Sequence, residues 1–400
     1  MPRSLLVRVI RPLGQWCLRQ SWFASPLKRV LRRFPVLFVR LRQWVLHAPL
    51  DPVADRILAF ETFDLVFAGG PLQDQRGIGR VAWALFNTLA QAAEERLKSH
   101  PSLFAQQRVR PKIHLYAAIQ WCPPSLPPGS VVLIHDVTPL VLPSDFPAAS
   151  VEEWQNRLRP IAHQASVVAS ISQSSARDIE AHLGLEVGSV AVVYNGITPL
   201  PQGQCKPALA SRLPDGPYLV FIGTHDHHKN LDVLLHALAD PRLAWLHLVW
   251  VGDAHSLTAE PVPAALRPRV HLLGRLPDDQ LSGVLSRAWL LAFPSLYEGF
   301  GLPPFEAALL GVPSICSARP AMTELLSESA WFVPAEDPLA WAEQLLFIHN
   351  NPAAREAMAQ RARARAQEFQ WRQVVDGLLR LAEAQARAIS EQPVKLQSQA

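Results

Sequence analysis

A single twenty-residue block constrains this chain more than any other feature. Residues 294–313 read PSLYEGFGLPPFEAALLGVP and follow a short apolar run at 289–293. The run has the length of a buried parallel strand, and Pro303 with Pro304 fits the first turn of a helix. The block therefore predicts a strand, a glycine turn and a helix, an arrangement at which open α/β sheets bind ligands.

The turn offers groups that suit a sugar diphosphate. Gly299 and Gly301 let the backbone approach a ligand closely, and the helix start directs unpaired N–H groups at hydroxyl or phosphate oxygens. Glu298 and Glu306, eight positions apart, can accept hydrogen bonds from two parts of one polyol. Such a pair means little alone, so a capped helix with solvent-facing carboxylates is the alternative interpretation.

The full pattern PSxxEGFGLPxxEAxxxGVP resembles the retaining glycosyltransferases of family 4, which have the GT-B fold and use nucleotide-sugar donors. The resemblance implies that Glu298 contacts the donor sugar and that Glu306 binds the ribose of the nucleotide. It also implies that backbone amides of the turn contact sugar and phosphate, at Gly299, Phe300, Gly301 and Leu302.

A second loop follows the predicted strand 218–222 and supplies a cation. It reads GTHDHHKNL, where the family usually reads GTxxPRKNL, so the resemblance implies that Lys229 binds the donor diphosphate. Gly223 and Thr224 match the donor-binding start of this loop. His228 stands where Arg is usual, and since histidine is only partly charged near neutral pH, weaker diphosphate binding is expected.

The first half of the chain carries two further candidate elements. Residues 77–80 read GIGR between a predicted strand and a helix, so Gly77 and Gly79 are candidates for donor phosphate binding, with simple helix packing as the alternative. His135 ends the strand VVLIHD, and HDVTPL resembles the HDxxPL element of bacterial mannosyltransferase-like members, where the histidine lies near the transferred sugar. A structural histidine is the alternative there. The candidate catalytic residues are His135, Lys229 and Glu298.

Alternating strand and helix patterns predict two Rossmann-like domains facing across a cleft. A linker is expected near residues 48–60. The expected divisions are a basic segment at 1–50, an acceptor-side domain at 51–198, a nucleotide-sugar-binding domain at 199–372, and a helix that crosses back to the first domain, with a tail, at 373–400.

Charge is distributed unevenly. The first 50 residues hold ten basic and no acidic residues, so the remainder has 28 basic against 34 acidic residues. Interfacial aromatic residues accompany the arginines, but no window reaches the roughly 18 apolar residues of a spanning helix. The segment is thus a candidate for peripheral binding to an anionic membrane surface; a structured basic face, a mis-assigned start codon and a transit peptide are alternatives. Nucleic acid is not an expected partner.

The four cysteines are scattered without CxxC spacing, which indicates reduced thiols in a cytoplasmic protein. No catalytic metal or cofactor is expected; incidental metal affinity of the histidines at 225, 227 and 228 is the alternative.

The resemblance implies retaining transfer of a sugar from a nucleotide-sugar donor to an acceptor hydroxyl. Mannose from GDP-mannose is the preferred donor, with UDP-sugars possible, and a cell-surface glycan or lipid-linked acceptor is expected. A nucleotide-sugar epimerase and a non-catalytic nucleotide-sugar-binding partner protein are the alternatives.

Overall fold

The computed structural model describes residues 55–74, 77–100, 110–203, 205–252 and 262–391. Their strands form two six-stranded sheets, as the predicted two-domain α/β fold requires. We call the part of the chain through residue 198 the first lobe and residues 199–370 the second lobe. The basic segment 1–50 and its proposed membrane surface lie outside the described residues.

The first sheet has its six strands in chain order, and every neighbouring pair except β1–β2 is parallel. Its strands are β1 (Arg56–Ala59), β2 (Asp64–Phe67), β3 (Lys112–Tyr116), β4 (Ser130–Ile134), β5 (Val167–Ser170) and β6 (Ala191–Val192). The prediction of a linker near residues 48–60 is wrong where β1 forms. This edge strand is mostly exposed, so its sequence lacks the apolar signal of a buried strand.

Five α-helices of the first lobe are α1 (Gly77–Ser99), α2 (Thr138–Val141), α3 (Ala148–Glu153), α4 (Arg159–Gln164) and α5 (Gln173–Leu183), with a π-helical turn at Trp154–Leu158 between α3 and α4. The long helix α1 buries Ala82, Leu85 and Leu89 against the sheet. This apolar face has helical spacing in the sequence, which is why the helix could be predicted.

The second sheet is parallel and has the order β12-β11-β10-β7-β8-β9. Its strands are β7 (Tyr218–Ile222), β8 (His247–Val251), β9 (Val270–Gly274), β10 (Leu290–Phe293), β11 (Ser314–Ser317) and β12 (Trp331–Val333). The order reverses between β7 and β10, so the loops that leave these two strands diverge and open a crevice at their carboxyl ends.

Helices of the second lobe cover both faces of this sheet, and its central strands are consequently apolar on both sides. They are α6 (Pro207–Ala210), α7 (Leu231–Leu238), α8 (Asp278–Leu285), α9 (Leu302–Leu309), α10 (Pro320–Leu326), α11 (Pro338–Asn350) and α12 (Pro352–Gln367).

The last helix, α13 (Trp371–Glu391), returns to the first lobe, as expected from the sequence. It packs Val375 and Leu379 into the core of the first sheet. The chain therefore passes between the lobes twice, near residues 197 and 370, and the two passages touch. The amide of Ile197 donates to the carbonyl oxygen of Phe369 at 2.8 Å.

None of the helices among the described residues combines the length and the apolar character that crossing a membrane requires.

Candidate active site

Two charged side chains meet where the strand order of the second sheet reverses. Lys229 lies in the loop after β7, and Glu298 lies in the loop after β10. The Lys229 Nζ donates to Glu298 Oε1 at 2.6 Å, and both side chains remain partly open to solvent. The structure thus brings together two of the three predicted catalytic residues at the position that this topology reserves for ligands.

The backbone around Lys229 is fixed by its neighbour Asn230. This residue has a left-handed conformation (φ 53°), which asparagine tolerates better than most residues. Its side-chain amide donates to the carbonyl oxygens of Pro294 (3.0 Å) and Ala335 (2.7 Å), at the exits of β10 and β12. Asn230 therefore ties three strand ends together and places Lys229 just before α7.

His228 lies beside Lys229 and faces the first lobe. Its ring stacks on Phe146, with ring centroids 5.7 Å apart, and its Nδ1 has no hydrogen-bond partner among the described residues. Burial lowers the pKa of His228 below its ordinary value of 6.5, and the adjacent Lys229 lowers that pKa further. The lowered pKa favours the neutral imidazole at pH 7, in the place where the family usually has arginine, and its unpaired Nδ1 is buried.

A cavity of about 300 Å³ occupies the cleft in front of this group. The second lobe lines it with His228, Lys229, Tyr297 and Glu298, and the first lobe supplies the opposite wall with Gln120, Asp136, Thr138, Pro139, Phe146 and Trp154. The wall combines aromatic surface with hydroxyl, amide and carboxylate groups. Such a mixture suits a polyol, because sugar rings present both apolar faces and hydroxyl edges.

Glu306 is buried in the middle of α9 and contacts a cation from the other lobe. Its Oε1 accepts a hydrogen bond from Arg80 Nη2 at 2.6 Å, and Arg80 Nε lies 3.5 Å from Asp278 Oδ2. Burial raises the pKa of the Glu306 carboxyl, whereas Arg80 opposes that rise. Glu306 does not line the cavity beside Lys229, so its predicted contact with ribose requires a different part of the cleft.

The glycine turn between β10 and α9 lies directly against the first lobe. A Cβ on Gly299 would lie 2.6 Å from the carbonyl oxygen of His135, so a side chain here would push the lobes apart. Gly301 has a left-handed φ of 78° and precedes Leu302, the first residue of α9. The Phe300 ring is buried against Phe305 and Phe369, which leaves backbone groups as its means of touching a donor.

His135 is oriented by the first lobe. Its Nε2 donates to the carbonyl oxygen of Ala117 at 2.9 Å, and burial lowers the pKa of its imidazole. Asp136, the next residue, lines the cavity. These contacts agree with the alternative of a structural histidine, and the catalytic assignment of His135 stays a prediction.

The other predicted donor-binding residues fall into two groups. Gly223 lies under the aliphatic part of Lys229, and the hydroxyl of Thr224 donates to Asp226. In the GIGR segment, a Cβ on Gly79 would lie 1.6 Å from the carbonyl oxygen of Asp74, whereas one on Gly77 would meet nothing within 4 Å. Gly79 thus has a clear packing role, and the phosphate-binding role of both glycines stays a prediction.

Sequence reasoning missed the first-lobe wall of the cavity. Phe146 directly follows a 3₁₀ turn at Pro143–Asp145, and Trp154 begins the π-helical turn. Tyr297 of the second lobe donates its hydroxyl to Asp178 of the first lobe at 2.9 Å. Asp136 accepts hydrogen bonds from the amide and hydroxyl of Thr138. The one sequence signal for this wall was the HDxxPL resemblance, which draws attention to the histidine instead of the aspartate.

Comparison with known proteins relates the second lobe to one family. The family described as glycosyl transferases group 1 matches residues 210–365, which contain the Lys229 loop, Glu298 and Glu306. This part of the chain is therefore similar to the group 1 glycosyltransferases, which confirms the resemblance to family 4 enzymes seen in the sequence.

Two curated relatives carry mannosyltransferase names. O-antigen chain mannosyltransferase B of Escherichia coli is 24% identical over 254 residues, 60% of this chain and 67% of that protein. O-antigen chain mannosyltransferase RfbU of Salmonella typhimurium is 24% identical over 233 residues, 56% of this chain and 62% of that protein. The matches thus leave about a third of each relative unaligned.

A solved structure confirms the fold. The structure of HepE from Anabaena in complex with UDP-glucose superposes with a TM-score of 0.55 at 17% identity, covering 82% of this chain and 98% of that one. The predicted GT-B fold class is thereby confirmed.

Proposed function

We propose that this protein is a retaining glycosyltransferase that moves a hexose from a nucleotide-sugar donor to an acceptor hydroxyl. The observation that carries the proposal is the Lys229–Glu298 pair, whose atoms lie 2.6 Å apart at the strand-order reversal and face a cleft cavity shared by both lobes. A cation and a carboxylate in this place suit the two ends of the reacting bond, the phosphate and the sugar.

In the proposed reaction, the donor diphosphate replaces Glu298 as the partner of the Lys229 ammonium. The Glu298 carboxylate then accepts hydrogen bonds from the sugar hydroxyls. The bond between the anomeric carbon and the phosphate oxygen breaks, and the acceptor oxygen attacks the same face of the sugar. The acceptor proton passes to the departing phosphate oxygen. Lys229 stabilises the negative charge that grows on the phosphate, the kind of electrostatic contribution that most lowers such barriers.

The preferred donor is GDP-mannose, supported by the two relatives that are named mannosyltransferases. HepE was solved with UDP-glucose, so UDP-sugars belong in the same test. We propose a cell-surface glycan or a lipid-linked sugar as the acceptor, in keeping with the O-antigen names. A cytoplasmic location with peripheral attachment to the membrane face is proposed from the basic residues before position 50.

The test is a panel of nucleotide sugars scored by protection from thermal unfolding, followed by incubation with radiolabelled donor and an acceptor extract. A ligand that binds only the native state raises Tm, and the rise grows with the logarithm of its concentration relative to Kd. We expect one donor to stabilise the wild type and to lose most of this effect in Glu306→Ala. The matched control is Glu356→Ala, which removes an exposed carboxylate of α12 and should leave the response unchanged.

A non-catalytic nucleotide-sugar-binding role is the second candidate, because a neutral His228 replaces the usual arginine and weakens stabilisation of the leaving diphosphate. Donor binding without product in the presence of acceptor would favour this role. Interconversion of donor sugars without transfer would favour an epimerase. Labelled glycan product that disappears in Lys229→Ala supports the transferase, and a panel without any stabilising nucleotide sugar would contradict all three.

A further inference from the structure

The amino end of α5 in the first lobe is occupied by a carboxylate of the second lobe. Glu324, on α10, accepts hydrogen bonds from the backbone amides of Gln173 and Ser174, each at 2.8 Å. These two amides open the helix and have no partner within it. The Glu324 side chain therefore caps a helix of the other lobe, 150 positions away in the sequence.

The same helix end also holds the glycine turn of the candidate active site. Ser172 Oγ accepts from the amide of Ser175 at 3.0 Å and donates to the carbonyl oxygen of Gly299 at 2.8 Å. Ser175 Oγ donates to that carbonyl oxygen at 3.3 Å. Gly299 directly follows Glu298, so the first turn of α5 contacts both α10 and the turn that carries the candidate sugar-binding carboxylate.

An apolar cluster lies around these hydrogen bonds and also spans both lobes. Ile171 and Ile197 of the first lobe pack in one cluster with buried residues of the second lobe, including Phe300, Met322 and Leu325. Met322 and Leu325 flank Glu324 in sequence. Burial of this face of α10 therefore holds the helix from which Glu324 reaches α5.

We propose that Glu324 is a positioning residue that sets the Glu298–Gly301 turn against the first lobe by capping α5. Its catalytic consequence rests on the proposed function, whereas its structural consequence does not. With the carboxylate in place, the amides of residues 173 and 174 and the hydroxyls of Ser172 and Ser175 form one set of hydrogen bonds across the cleft. Without it, two helix-opening amides lose their partner and the set keeps only its serine contacts.

The first experiment is amide hydrogen exchange at residue resolution on the wild type, Glu324→Ala and Glu324→Gln. First-turn amides exchange quickly unless a cap protects them, so protection of Gln173 and Ser174 reports on Glu324 directly. We expect exchange at these two amides to rise roughly fivefold to tenfold in Glu324→Ala, as expected for loss of a helix cap. Exchange at the amides of Phe300 and Gly301 should rise with it.

Glu324→Gln keeps one side-chain oxygen that can accept a hydrogen bond, so it should show a smaller rise than the alanine variant. Glu328→Gln makes the same chemical change four positions away at an exposed site and serves as the matched control. Wild-type exchange at Gln173, Ser174 and the turn in Glu324→Ala would overturn the proposal. So would a rise of equal size in Glu328→Gln.

The second experiment separates positioning from general stability in the transfer reaction with GDP-mannose or UDP-glucose, whichever donor the panel selects. Because Glu324 contacts neither Lys229 nor Glu306, we expect donor KM to stay within about twofold while kcat falls about threefold to tenfold in Glu324→Ala. Partial recovery of kcat is expected in Glu324→Gln. An unchanged kcat with altered exchange would overturn the positioning role.

The two experiments also separate this proposal from the proposed function. If no nucleotide sugar binds or reacts, the proposed function fails, and exchange at α5 and at the turn still decides whether Glu324 positions that turn.

Discussion

The two lobes each contain a six-stranded sheet, but they differ in strand order. In the described part of the first sheet the strands follow chain order, whereas the second sheet reverses between β7 and β10. Lys229 and Glu298 lie in the loops that follow these two strands. In the first lobe, the cavity wall comes from loops and short helices beyond β3 and β4. The strand order of the second sheet thus explains why the charged pair lies at the cleft. The first lobe contributes the opposite wall of the cavity through its loops and short helices.

The glycines show the same contrast. Gly79 in the first lobe makes room for a carbonyl of its own lobe, while Gly299 in the second lobe makes room for the opposite lobe. A glycine motif therefore supports packing in one lobe and lobe-to-lobe contact in the other.

The contrast between the two lobes predicts that replacing Lys229 has the largest effect on transfer. We expect Lys229→Ala to lower kcat for sugar transfer about a hundredfold to a thousandfold, because a group that stabilises charge in the transition state is lost. The measurement is steady-state transfer of labelled sugar, with Lys98→Ala as an exposed control on α1. If the variant kept more than half of wild-type kcat, the Lys229 ammonium would not be the group that stabilises the transition state.

The steric role of the first-lobe glycines is tested by a pair of substitutions in one motif. Gly79→Ala should lower the free energy of unfolding by about 2 kcal/mol or more, because a Cβ there overlaps backbone. Gly77→Ala should be neutral or slightly stabilising, since a Cβ meets open space and alanine favours helix. Urea denaturation measures both. Equal effects would mean that close packing does not explain Gly79.

Replacing Arg80 tests whether a cation of the first lobe stabilises the buried Glu306 carboxylate of the second lobe. Arg80→Ala leaves a buried carboxylate without this cation, and we expect a loss of about 1 kcal/mol because Arg80 is partly exposed. The raised pKa of Glu306 fixes the sign: protonation relieves the unpaired charge, so the loss should be greater at pH 8 than at pH 5. Thermal unfolding at both pH values measures it, with Arg80→Lys as control. A loss independent of pH would contradict the pairing.

The smallest expected effect is acid destabilisation from buried histidines in both lobes. Burial lowers the pKa values of five imidazoles, those of His114, His135, His228, His247 and His271. The unfolded chain therefore binds more protons than the native protein as pH falls below about 6.5, and stability decreases in that direction. Tm should fall by a few degrees between pH 7 and pH 5.5.

His135→Gln should flatten this dependence, because glutamine can still donate to Ala117 but does not titrate. His182→Gln, at an exposed position of α5, is the control and should leave the slope unchanged. A slope that is the same in both variants would remove His135 from the explanation.

The central strands and the second-lobe site were predictable because their signals are local. Strand β7 was predicted with its observed bounds. Strand β1 and the wall formed by Phe146 and Trp154 were not predicted, since an exposed edge strand and short irregular helices leave no periodic pattern. The contact of Glu306 with Arg80 joins residues 226 positions apart and depends on how the lobes meet.

The chain connects the two lobes near residues 197 and 370, and these connections limit how the lobes can move relative to each other. Trp371 Nε1 donates to Thr198 Oγ1 at 2.8 Å, and a Cβ on Gly196 would strike the Trp371 ring, so the two connections lie side by side. Two adjacent covalent connections allow rotation about the line through them and resist twisting or sliding. We therefore expect any opening of the lobes to be a rotation about this pair of connections, with the same residues facing each other again after closure.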